Sequence, residues 1–234
     1  INLLVFNSEN NNHFEEYYEI CKKESLNVSK ERYVSLYQSV NYIYKNNIEG
    51  DFVECGVFMG GSAMMISYAM NEFDRNNILN KRLWLYDTFE GMANPSIYDE
   101  NILNQKAITE LNKKTKKKNK KDIWAYCDIE TVSKNIEKNT DFNNIKLIKG
   151  DVKNTLTDVN LPKKISILRL DTAWYESTKF ELEKLYPLLS TGGVLIIDDY
   201  GQFKGCKKAV DEFFADNKLF FHYIDYSCRL VIKN

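Results

Sequence analysis

The sequence has no long apolar run and no surplus of charge of either sign. No run approaches the roughly 20 apolar residues that a helix needs to cross a bilayer. INLLVF, at residues 1–6, is too short for the core of a signal peptide and has no basic lead-in. The formal net charge is -1, which attracts neither nucleic acid nor an anionic membrane, and no N-P-P-[YF]-like base-access motif occurs. We therefore expect no membrane insertion and no nucleic-acid partner.

The sequence also lacks the cysteine spacing of a disulfide or zinc framework. Its 5 cysteines are scattered, odd in number and never spaced as C-x-x-C. This pattern predicts reduced thiols in a bacterial cytoplasm. The composition is separately rich in lysine, asparagine and isoleucine, which is typical of an AT-rich genome. The cysteines are Cys21, Cys55, Cys127, Cys206 and Cys228.

What the chain does have is a series of short apolar runs separated by helical segments. Hydrophobic residues make up 44% and charged residues 28% of its 234 residues, enough for one α/β domain over residues 1–234. Near-continuous apolar strands that alternate with helices indicate a parallel sheet covered on both faces. The tail around residues 225–227 predicts an antiparallel hairpin at the sheet edge. The other predicted strands are residues 51–58, 81–87, 145–151, 164–171 and 191–199.

Two of the predicted helices have recognisable starts. Ser29 can cap a helix over residues 30–46, within an N-terminal helical segment of residues 1–49. Thr178 followed by Glu181 fits a capping box for the helix between the fourth and fifth strands. Further helices are predicted over residues 62–73 and 206–214.

Residues 92–122 differ from the rest of the chain. They contain Pro95, few apolar patterns and the lysine run KKTKKKNKK at residues 113–121. We interpret this insertion as a mobile loop over the site. The lysine run is most simply a solvated loop, and the alternative is that it closes over an anionic substrate such as a nucleotide-activated sugar.

Acidic residues close four of the five predicted parallel strands. Ligands of an open parallel sheet bind in the crevice beyond the carboxyl ends of its strands, so these side chains are expected at one edge. Several carboxylates that converge there indicate a functional site. They are Asp87, Asp151, Asp171, Asp198 and Asp199.

Asp171, Asp198 and Asp199 would lie within a few ångströms of one another if their strands border the same crevice. Unpaired, the three carboxylates would raise one another's pKa. Arginine or lysine could neutralise them, with Arg169 the nearest in sequence, or they could cap the following helix. Mg²⁺ fits the geometry better, because it prefers oxygen ligands and often takes only a few carboxylates.

The first predicted strand ends in a glycine-rich turn within VECGVFMGGSA. Glycine lets the backbone approach a ligand closely, and the helix that starts near Ser62 can receive a carboxylate or phosphate. The spacing is not G-x-G-x-x-G, so the dinucleotide fingerprint is not met. Asp87 stands where such folds hydrogen-bond a ribose diol. Together these features suggest a nucleoside-bearing cofactor.

These residues lie in segments by which the chain resembles the macrocin-type (TylF/MycF) sugar O-methyltransferases, over most of its length from GDFVECGV onward. The segments are GDFVECGVFMGGSA, LWLYDTFEGM, LRLDTAWYESTKFELEKLYPLLSTGGVLIIDDYG and CKKAVDEFF. The resemblance implies a single Rossmann-like class I methyltransferase domain. Its mostly parallel seven-stranded sheet would end in a C-terminal antiparallel hairpin. S-adenosylmethionine and Mg²⁺ would be the cofactors.

The resemblance also implies a role for each matching residue. The substrate hydroxyl would join the shell of the metal ion, which lowers the pKa of that hydroxyl and aims its oxygen at the methyl carbon. The implied sets are Glu54, Gly56, Val57 and Ser62 at the methionine end of the cofactor, Asp87, Thr88 and Phe89 at its ribose, Gly150, Asp151 and Val152 at its adenine, and Asp171, Asp198 and Asp199 at Mg²⁺.

Asp171 and Asp198 would thus act in catalysis, but one family feature is missing. Members commonly carry a second Asp two residues after the first, as a candidate general base, where this chain has Ala173. Alanine cannot take a proton, so either another group does so or the base has been removed. We hypothesise that the chain binds cofactor and metal but turns over slowly. Phe58-Met59 also departs from the Trp-Arg that is frequent in the family.

The acceptor is expected to be a small molecule. Tyr175 and Tyr200 flank the acids and either contact a sugar or pack against neighbours, and His222 is expected to be structural. The composition does not fit GC-rich antibiotic producers, which favours a sugar of a bacterial surface polysaccharide, for instance while it is nucleotide-activated. A homo-oligomer is left open. The alternative functions are a nicotinamide-dependent oxidoreductase and a non-catalytic variant that retains the fold.

Overall fold

A seven-stranded sheet runs through the centre of the molecule. The structure, a computed structural model, describes residues 11–25, 28–74, 80–112, 124–140, 143–216 and 219–234. The strands are β1 (Asp51–Cys55), β2 (Leu83–Asp87), β3 (Ile145–Lys149), β4 (Ile165–Leu170), β5 (Leu189–Ile197), β6 (His222–Tyr223) and β7 (Arg229–Ile232). Their order is β3-β2-β1-β4-β5-β7-β6. β1 to β5 pair in parallel, and β7 runs antiparallel to β5 and β6, which confirms the predicted hairpin.

The register of the central strands brings their carboxyl ends to one level. Cys55, at the end of β1, pairs with Leu170 of β4, which in turn pairs with Ile197 of β5. The ladder continues beyond the strands, because the main-chain N–H of Asp171 donates to the Cys55 carbonyl and that of Asp198 to the Leu170 carbonyl, at 2.8 and 2.9 Å. The residues that follow these strands therefore emerge side by side.

Helices cover both faces of the sheet, as the apolar strands predict. All six residues of β4 are buried, which a parallel sheet requires when helices cover both of its faces. The helices are α1 (Asn11–Cys21), α2 (Lys30–Lys45), α3 (Gly61–Phe73), α4 (Ala107–Asn112), α5 (Ile129–Asn139), α6 (Val152–Thr155), α7 (Tyr175–Leu185) and α8 (Lys204–Phe213). Apolar side chains of α1, α2, α3 and α5 form one buried cluster against the sheet, and those of α6, α7 and α8 form the other.

The two helix starts that the sequence specified have different outcomes. Ser29 caps α2, because its side chain accepts a hydrogen bond from the main-chain N–H of Arg32 at 3.3 Å. The capping box is wrong, since Thr178 already lies inside α7 and makes no cap there. Glu181 does not turn back to the helix start. It is buried and accepts a hydrogen bond from the Thr172 hydroxyl instead.

The described part of the 92–122 insertion is tied to the domain. The buried Asp99 carboxylate accepts hydrogen bonds from the main-chain N–H groups of Tyr175 at 2.8 Å and Ser96 at 2.6 Å. The lysine run at residues 113–121 lies outside the described residues. The expected mobility of this loop, its closure over a substrate and the assignment of residues 1–234 to one domain stay predictions.

The helices and the cysteines bear on the expected class of protein. No helix within the described ranges combines the length and the apolarity needed to span a bilayer. All five cysteines are buried, and none of them forms a disulfide bond.

Candidate active site at the carboxyl edge of the sheet

A cavity of about 420 Å³ opens at the carboxyl edge of the sheet. Residues that follow all five parallel strands line it, together with Arg32 of α2. Two parts of its wall are distinguished below. The loop side lies at the ends of β1, β2 and β3 and includes Gly56, Val57, Asp87, Gly150 and Asp151. The acid side lies at the ends of β4 and β5 and includes Asp171, Asp198 and Asp199.

On the loop side, the Asp87 carboxylate holds the turn after β1. Its Oδ2 accepts hydrogen bonds from the main-chain N–H groups of Val57 at 2.7 Å and Phe58 at 3.0 Å, and its Oδ1 accepts one from Phe89 at 2.7 Å. Burial raises the pKa of Asp87, and the three N–H donors oppose that shift. Main-chain dipoles therefore fix this carboxylate and the turn together.

Gly56 is required where the loop side meets the acid side. Its φ is +86°, in the left-handed region that glycine adopts without strain. A Cβ at this position would lie 2.1 Å from the carbonyl oxygen of Asp171. The turn after β1 thus lies directly against the end of β4, and a larger residue would force the two apart.

Most of the residues implied for cofactor binding line the cavity, but Glu54 and Phe89 do not. Glu54 is fully buried behind the wall, where its Oε1 accepts hydrogen bonds from Ser62 Oγ at 2.5 Å and Arg169 Nη1 at 2.6 Å. The Phe89 ring lies in the core, and only its main-chain N–H serves the loop through Asp87. Both side chains therefore support the cavity wall from behind and do not form its surface. The implied residues that line the cavity are Gly56, Val57, Ser62, Asp87, Thr88, Gly150, Asp151 and Val152.

On the acid side, the three predicted carboxylates converge. Asp171, Asp198 and Asp199 each offer an oxygen within 4.8 Å of the others. Burial raises the pKa of Asp171 well above its usual range, and the negative charges of Asp198 and Asp199 raise it further against the lowering effect of Arg169. Burial and Asp198 raise the pKa of Asp199 to about 7. The cluster is therefore short of positive charge.

Two buried arginines supply part of that charge. Nη2 of Arg169 lies 2.8 Å from Asp171 Oδ2 and 2.8 Å from Asp198 Oδ1. Arg32 places Nη1 2.6 Å from Asp198 Oδ2 and Nε 2.7 Å from Asp225 Oδ2. From the sequence, a metal ion and arginine were alternative partners for these acids. They are not exclusive alternatives, because both oxygens of Asp198 already bind guanidinium groups.

No pattern in the sequence singled out Arg32. Its side chain is 8% exposed and lies on the buried face of α2, four residues before Leu36. Arginine is rarely buried without a partner, so its place on an apolar helix face is the one available signal. Its partners Asp198 and Asp225 are 166 and 193 positions away, which no local pattern can reveal.

The arginines do not balance the cluster. Five carboxylates, those of Glu54, Asp171, Asp198, Asp199 and Asp225, share two guanidinium groups. Over the described part of the chain, no ion pair reaches Asp199, and Oε2 of the buried Glu54 has no hydrogen-bond partner. Carboxylate oxygens are the ligands that Mg²⁺ prefers. The donor set and its excess negative charge therefore fit a divalent cation.

Tyr175 and Tyr200, the expected substrate contacts, point away from the cavity. The Tyr175 hydroxyl donates to Glu212 Oε2 at 2.8 Å and the Tyr200 hydroxyl to Asp211 Oδ1 at 2.7 Å, both on α8. Neither tyrosine lines the cavity, so the packing alternative is the one that the structure supports. Apart from Phe58, the aromatic residues that do line it were not singled out from the sequence. They are Phe58, Tyr86, Trp174, Phe203 and Tyr226.

The segment after Asp171 carries no second acid. Ala173 lines the cavity with a φ of +64°, a left-handed conformation that Asp and Asn tolerate better than most residues. Thr172 also lines the cavity, and its Oγ1 donates to Glu181 Oε2 at 3.0 Å. Glu181 is fully buried, and burial raises its pKa to about 8. His222 is exposed on β6 and does not line the cavity.

Comparison with known proteins matches the same part of the chain. The family model described as Macrocin-O-methyltransferase (TylF) matches residues 24–229. The demethyldecarbamoylnovobiocin O-methyltransferase of Streptomyces niveus is 30% identical over 186 residues, which are 79% of this chain and 65% of that enzyme. The 8-demethyl-8-(2,3-dimethoxy-alpha-L-rhamnosyl)-tetracenomycin-C 4'-O-methyltransferase of Streptomyces olivaceus is 29% identical over 187 residues, 80% of this chain and 66% of that enzyme. The chain thus spans just under two thirds of these relatives.

A solved structure supports the same assignment of the fold. The O-methyltransferase NovP superposes with a TM-score of 0.72 at 26% sequence identity, covering 87% of this chain and 80% of that chain. The similarity confirms the expected class I methyltransferase fold, with a mostly parallel seven-stranded sheet and a C-terminal antiparallel pair.

Proposed function

Because this chain belongs to the macrocin-O-methyltransferase (TylF) family, we propose that it transfers a methyl group from S-adenosylmethionine to a hydroxyl of a sugar. One observation carries the proposal, namely that the loop side and the acid side line the same cavity. Since the Gly56 turn touches the main chain of Asp171, a cofactor along the loop side would reach the acid side. Each side then has a separate task.

The loop side would hold S-adenosylmethionine, which supplies the methyl group when it is bound. Asp87 would accept hydrogen bonds from the ribose hydroxyls, with its carboxylate already oriented by the N–H groups of Val57 and Phe58. Gly150 and Asp151 would border the adenine. Gly56 would leave room at the junction, since it carries no Cβ to fill it.

The acid side would hold Mg²⁺ through Asp171, Asp198 and Asp199, and the bound ion would lower the pKa of the acceptor hydroxyl. The chain's own contribution is to fix these carboxylates. Arg169 and Arg32 hold Asp198 from both of its oxygens, so its position does not depend on the ion alone. Such fixed geometry matters because alignment supplies much of the rate in a displacement reaction.

The acceptor would be a sugar of a bacterial surface polysaccharide, methylated while it is nucleotide-activated. The name of the relative from S. olivaceus includes a rhamnosyl group. Tyr226, which is 53% exposed and lines the cavity, offers an aromatic surface for a sugar ring. A bacterial cytoplasmic location fits five cysteines that form no disulfide bond.

A methyl-transfer screen tests this function. The chain would be incubated with labelled S-adenosylmethionine and a panel of nucleoside-diphosphate sugars and simple glycosides, with Mg²⁺ or with EDTA. We expect transfer to at least one sugar, loss of transfer in EDTA and recovery when Mg²⁺ is restored. Asp171→Asn should be inactive, and Asp158→Asn, an exposed acid away from the cavity, should match the unaltered chain.

Binding calorimetry separates the alternatives. Affinity for S-adenosylhomocysteine without affinity for NAD supports methyl transfer, and the reverse would support a nicotinamide-dependent oxidoreductase. A non-catalytic variant would bind S-adenosylhomocysteine but would transfer the methyl group to no member of the panel.

A further inference from the structure

Glu181 is a buried carboxyl group that the proposed function leaves without a task. It is 0% exposed on α7, and its Oε2 accepts a hydrogen bond from Thr172 Oγ1 at 3.0 Å. Its Oε1 has no hydrogen-bond partner. Burying a carboxyl with one unpaired oxygen costs free energy, so its presence calls for an explanation.

The partner of Glu181 stands at the reacting end of the cavity. Thr172 lines the cavity between Asp171 and Ala173. Ala173 also lines the cavity but has no group that can take a proton. Thr172 therefore belongs to the cavity wall, and its hydroxyl links that wall to the buried Glu181.

We propose that Thr172 and Glu181 form a two-step path for the proton of the acceptor hydroxyl. This inference rests on the proposed methyl transfer. Thr172 would contact the acceptor hydroxyl, and Glu181 would act through Thr172 as the final proton acceptor.

The atoms balance without any further reagent. The acceptor oxygen forms a bond to the methyl carbon while the bond from that carbon to the sulfonium sulfur breaks and its electron pair stays on sulfur. The acceptor proton moves to Thr172 Oγ1 as the original hydroxyl proton of Thr172 moves to Glu181 Oε2. Thr172 is unchanged at the end, and Glu181, now neutral, returns its proton to solvent before the next turnover.

The electrostatic surroundings of Glu181 suit a proton acceptor. Burial and the charges of Asp151 and Asp199 raise its pKa to about 8, and a base works best when its pKa lies near the working pH. The thiols of Cys55 and Cys206 face it from β1 and α8, and their own pKa values are raised by burial and by Glu181. Both thiols therefore stay neutral and do not compete for the proton.

A purely structural role is the alternative, in which Glu181 only tethers the segment after β4 through Thr172. Kinetic data can separate the two roles. A new acid at another position could take over from Glu181 as proton acceptor but could not take over as tether. An Asp at position 173 would supply a base without restoring any tether. The φ of +64° at Ala173 accommodates that substitution.

The experiment compares variants in the methyl-transfer assay. Glu181→Gln and Thr172→Val should each lower kcat by about 10²-fold or more, with KM for the acceptor and affinity for S-adenosylhomocysteine within about threefold. Thr172→Ser, which keeps the hydroxyl, should be at least about tenfold faster than Thr172→Val. Glu183→Gln, an exposed glutamate on the same helix, is the matched control and should retain full activity. Thermal unfolding and S-adenosylhomocysteine binding verify that each variant folds.

The decisive variant combines Glu181→Gln with Ala173→Asp. Recovery of at least about tenfold in kcat over Glu181→Gln alone supports the proton path. The unaltered chain should show a rate that rises with pH up to about 8, and the double variant should lose this rise. No recovery, or no change in the pH profile, would mean that Glu181 is only a tether.

Failure of this inference can be told apart from failure of the proposed function. If the unaltered chain transfers a methyl group and Glu181→Gln does so within about threefold, the proton path is wrong and the function stands. A gain above about tenfold from Ala173→Asp alone would instead support an enzyme slowed by its missing acid and contradict the path. If the unaltered chain transfers nothing, both proposals fall.

Discussion

The two sides of the cavity each hold buried carboxylates, but they stabilise them by different means. On the loop side, Asp87 is held by main-chain N–H groups, those of Phe89, two positions away, and of Val57, 30 positions away. On the acid side, Asp198 is held by the guanidinium groups of Arg169 and of Arg32, the latter 166 positions away. The loop side is therefore held by main-chain groups, whereas the acid side is held by charged side chains, one of which comes from a distant part of the chain.

The difference also concerns the charge that remains. The Asp87 carboxylate accepts three hydrogen bonds from main-chain N–H groups and needs no cation to be stable. The acid side keeps more carboxylates than guanidinium groups even after Arg169 and Arg32 are paired. The loop side is therefore suited to a polar neutral group such as a ribose diol, and the acid side to a cation.

Removing one acid should break the acid side while it leaves the loop side intact. Asp199 has no ion pair over the described residues, so Asp199→Asn leaves no arginine unpaired. We expect methyl transfer to fall by at least about 10³-fold, because a bound ion lowers the activation barrier by several kcal/mol. Calorimetry with S-adenosylhomocysteine should give an affinity within about threefold of the unaltered chain. A matching loss of cofactor affinity would show that the two sides are not separate.

Removing Arg32 should reveal how far the acid side depends on distant residues. Arg32→Met leaves Asp198 and Asp225 without one of their buried partners, and breaking such a pair costs about 3–5 kcal/mol. Urea unfolding should show this loss in the free energy of unfolding. Arg82→Met, at an exposed arginine, should change it by less than about 0.5 kcal/mol. A loss below about 1 kcal/mol for Arg32→Met would contradict the dependence.

Glu181 should make the stability of the acid side depend on pH. Burial raises the pKa of its carboxyl from 4.5 to about 8, so the native state binds more protons than the unfolded state between these values. Stability must therefore fall as the pH rises through this range. Glu181→Gln removes the titration and should gain about 2–3 kcal/mol relative to the unaltered chain between pH 5 and 7.5.

Chemical unfolding in EDTA across this pH range measures the effect. Glu183→Gln, on the exposed face of the same helix, should show a difference from the unaltered chain that stays flat with pH. A flat difference for Glu181→Gln as well would mean that Glu181 is ionised in the native state.

Weakening the loop side should have the smallest effect and should spare the acid side. Asp87→Asn keeps one acceptor oxygen where three N–H groups now converge. We expect affinity for S-adenosylhomocysteine to drop by about 10- to 30-fold, since one lost charged hydrogen bond is worth roughly 1.5–3 kcal/mol. The control Asp158→Asn should bind normally. Unchanged affinity in Asp87→Asn would remove this residue from the cofactor site.

Much of this could be predicted because it follows from short-range patterns. Each parallel strand was located to within a few residues, and the register then determines that residues after Cys55, Leu170 and Ile197 meet at one edge. This rule alone is enough to predict that Asp171 and Asp198 lie close together. Ser29 was a correct cap because an N-cap depends on the residues next to it.

The rest depends on directions and partners that the sequence does not contain. Tyr175 is close to the acids along the chain, yet α7 turns its ring toward α8. The side chain of Glu54, on β1, is fully buried and pairs with Arg169 of the neighbouring strand β4. Glu181 fits a capping box by spacing, but the buried face of α7 takes it to Thr172. In each case packing between elements overrides a local signal.

Divalent-cation binding at the acid side, in spite of its arginines, can be measured directly. Mn²⁺ would be titrated into the chain saturated with S-adenosylhomocysteine and followed by electron paramagnetic resonance, with Mg²⁺ as competitor. The expectation is one Mn²⁺ per chain, displaced by Mg²⁺, lost in Asp199→Asn and retained in Asp158→Asn. Equal binding by Asp199→Asn and the unaltered chain, or no binding by either, would contradict it.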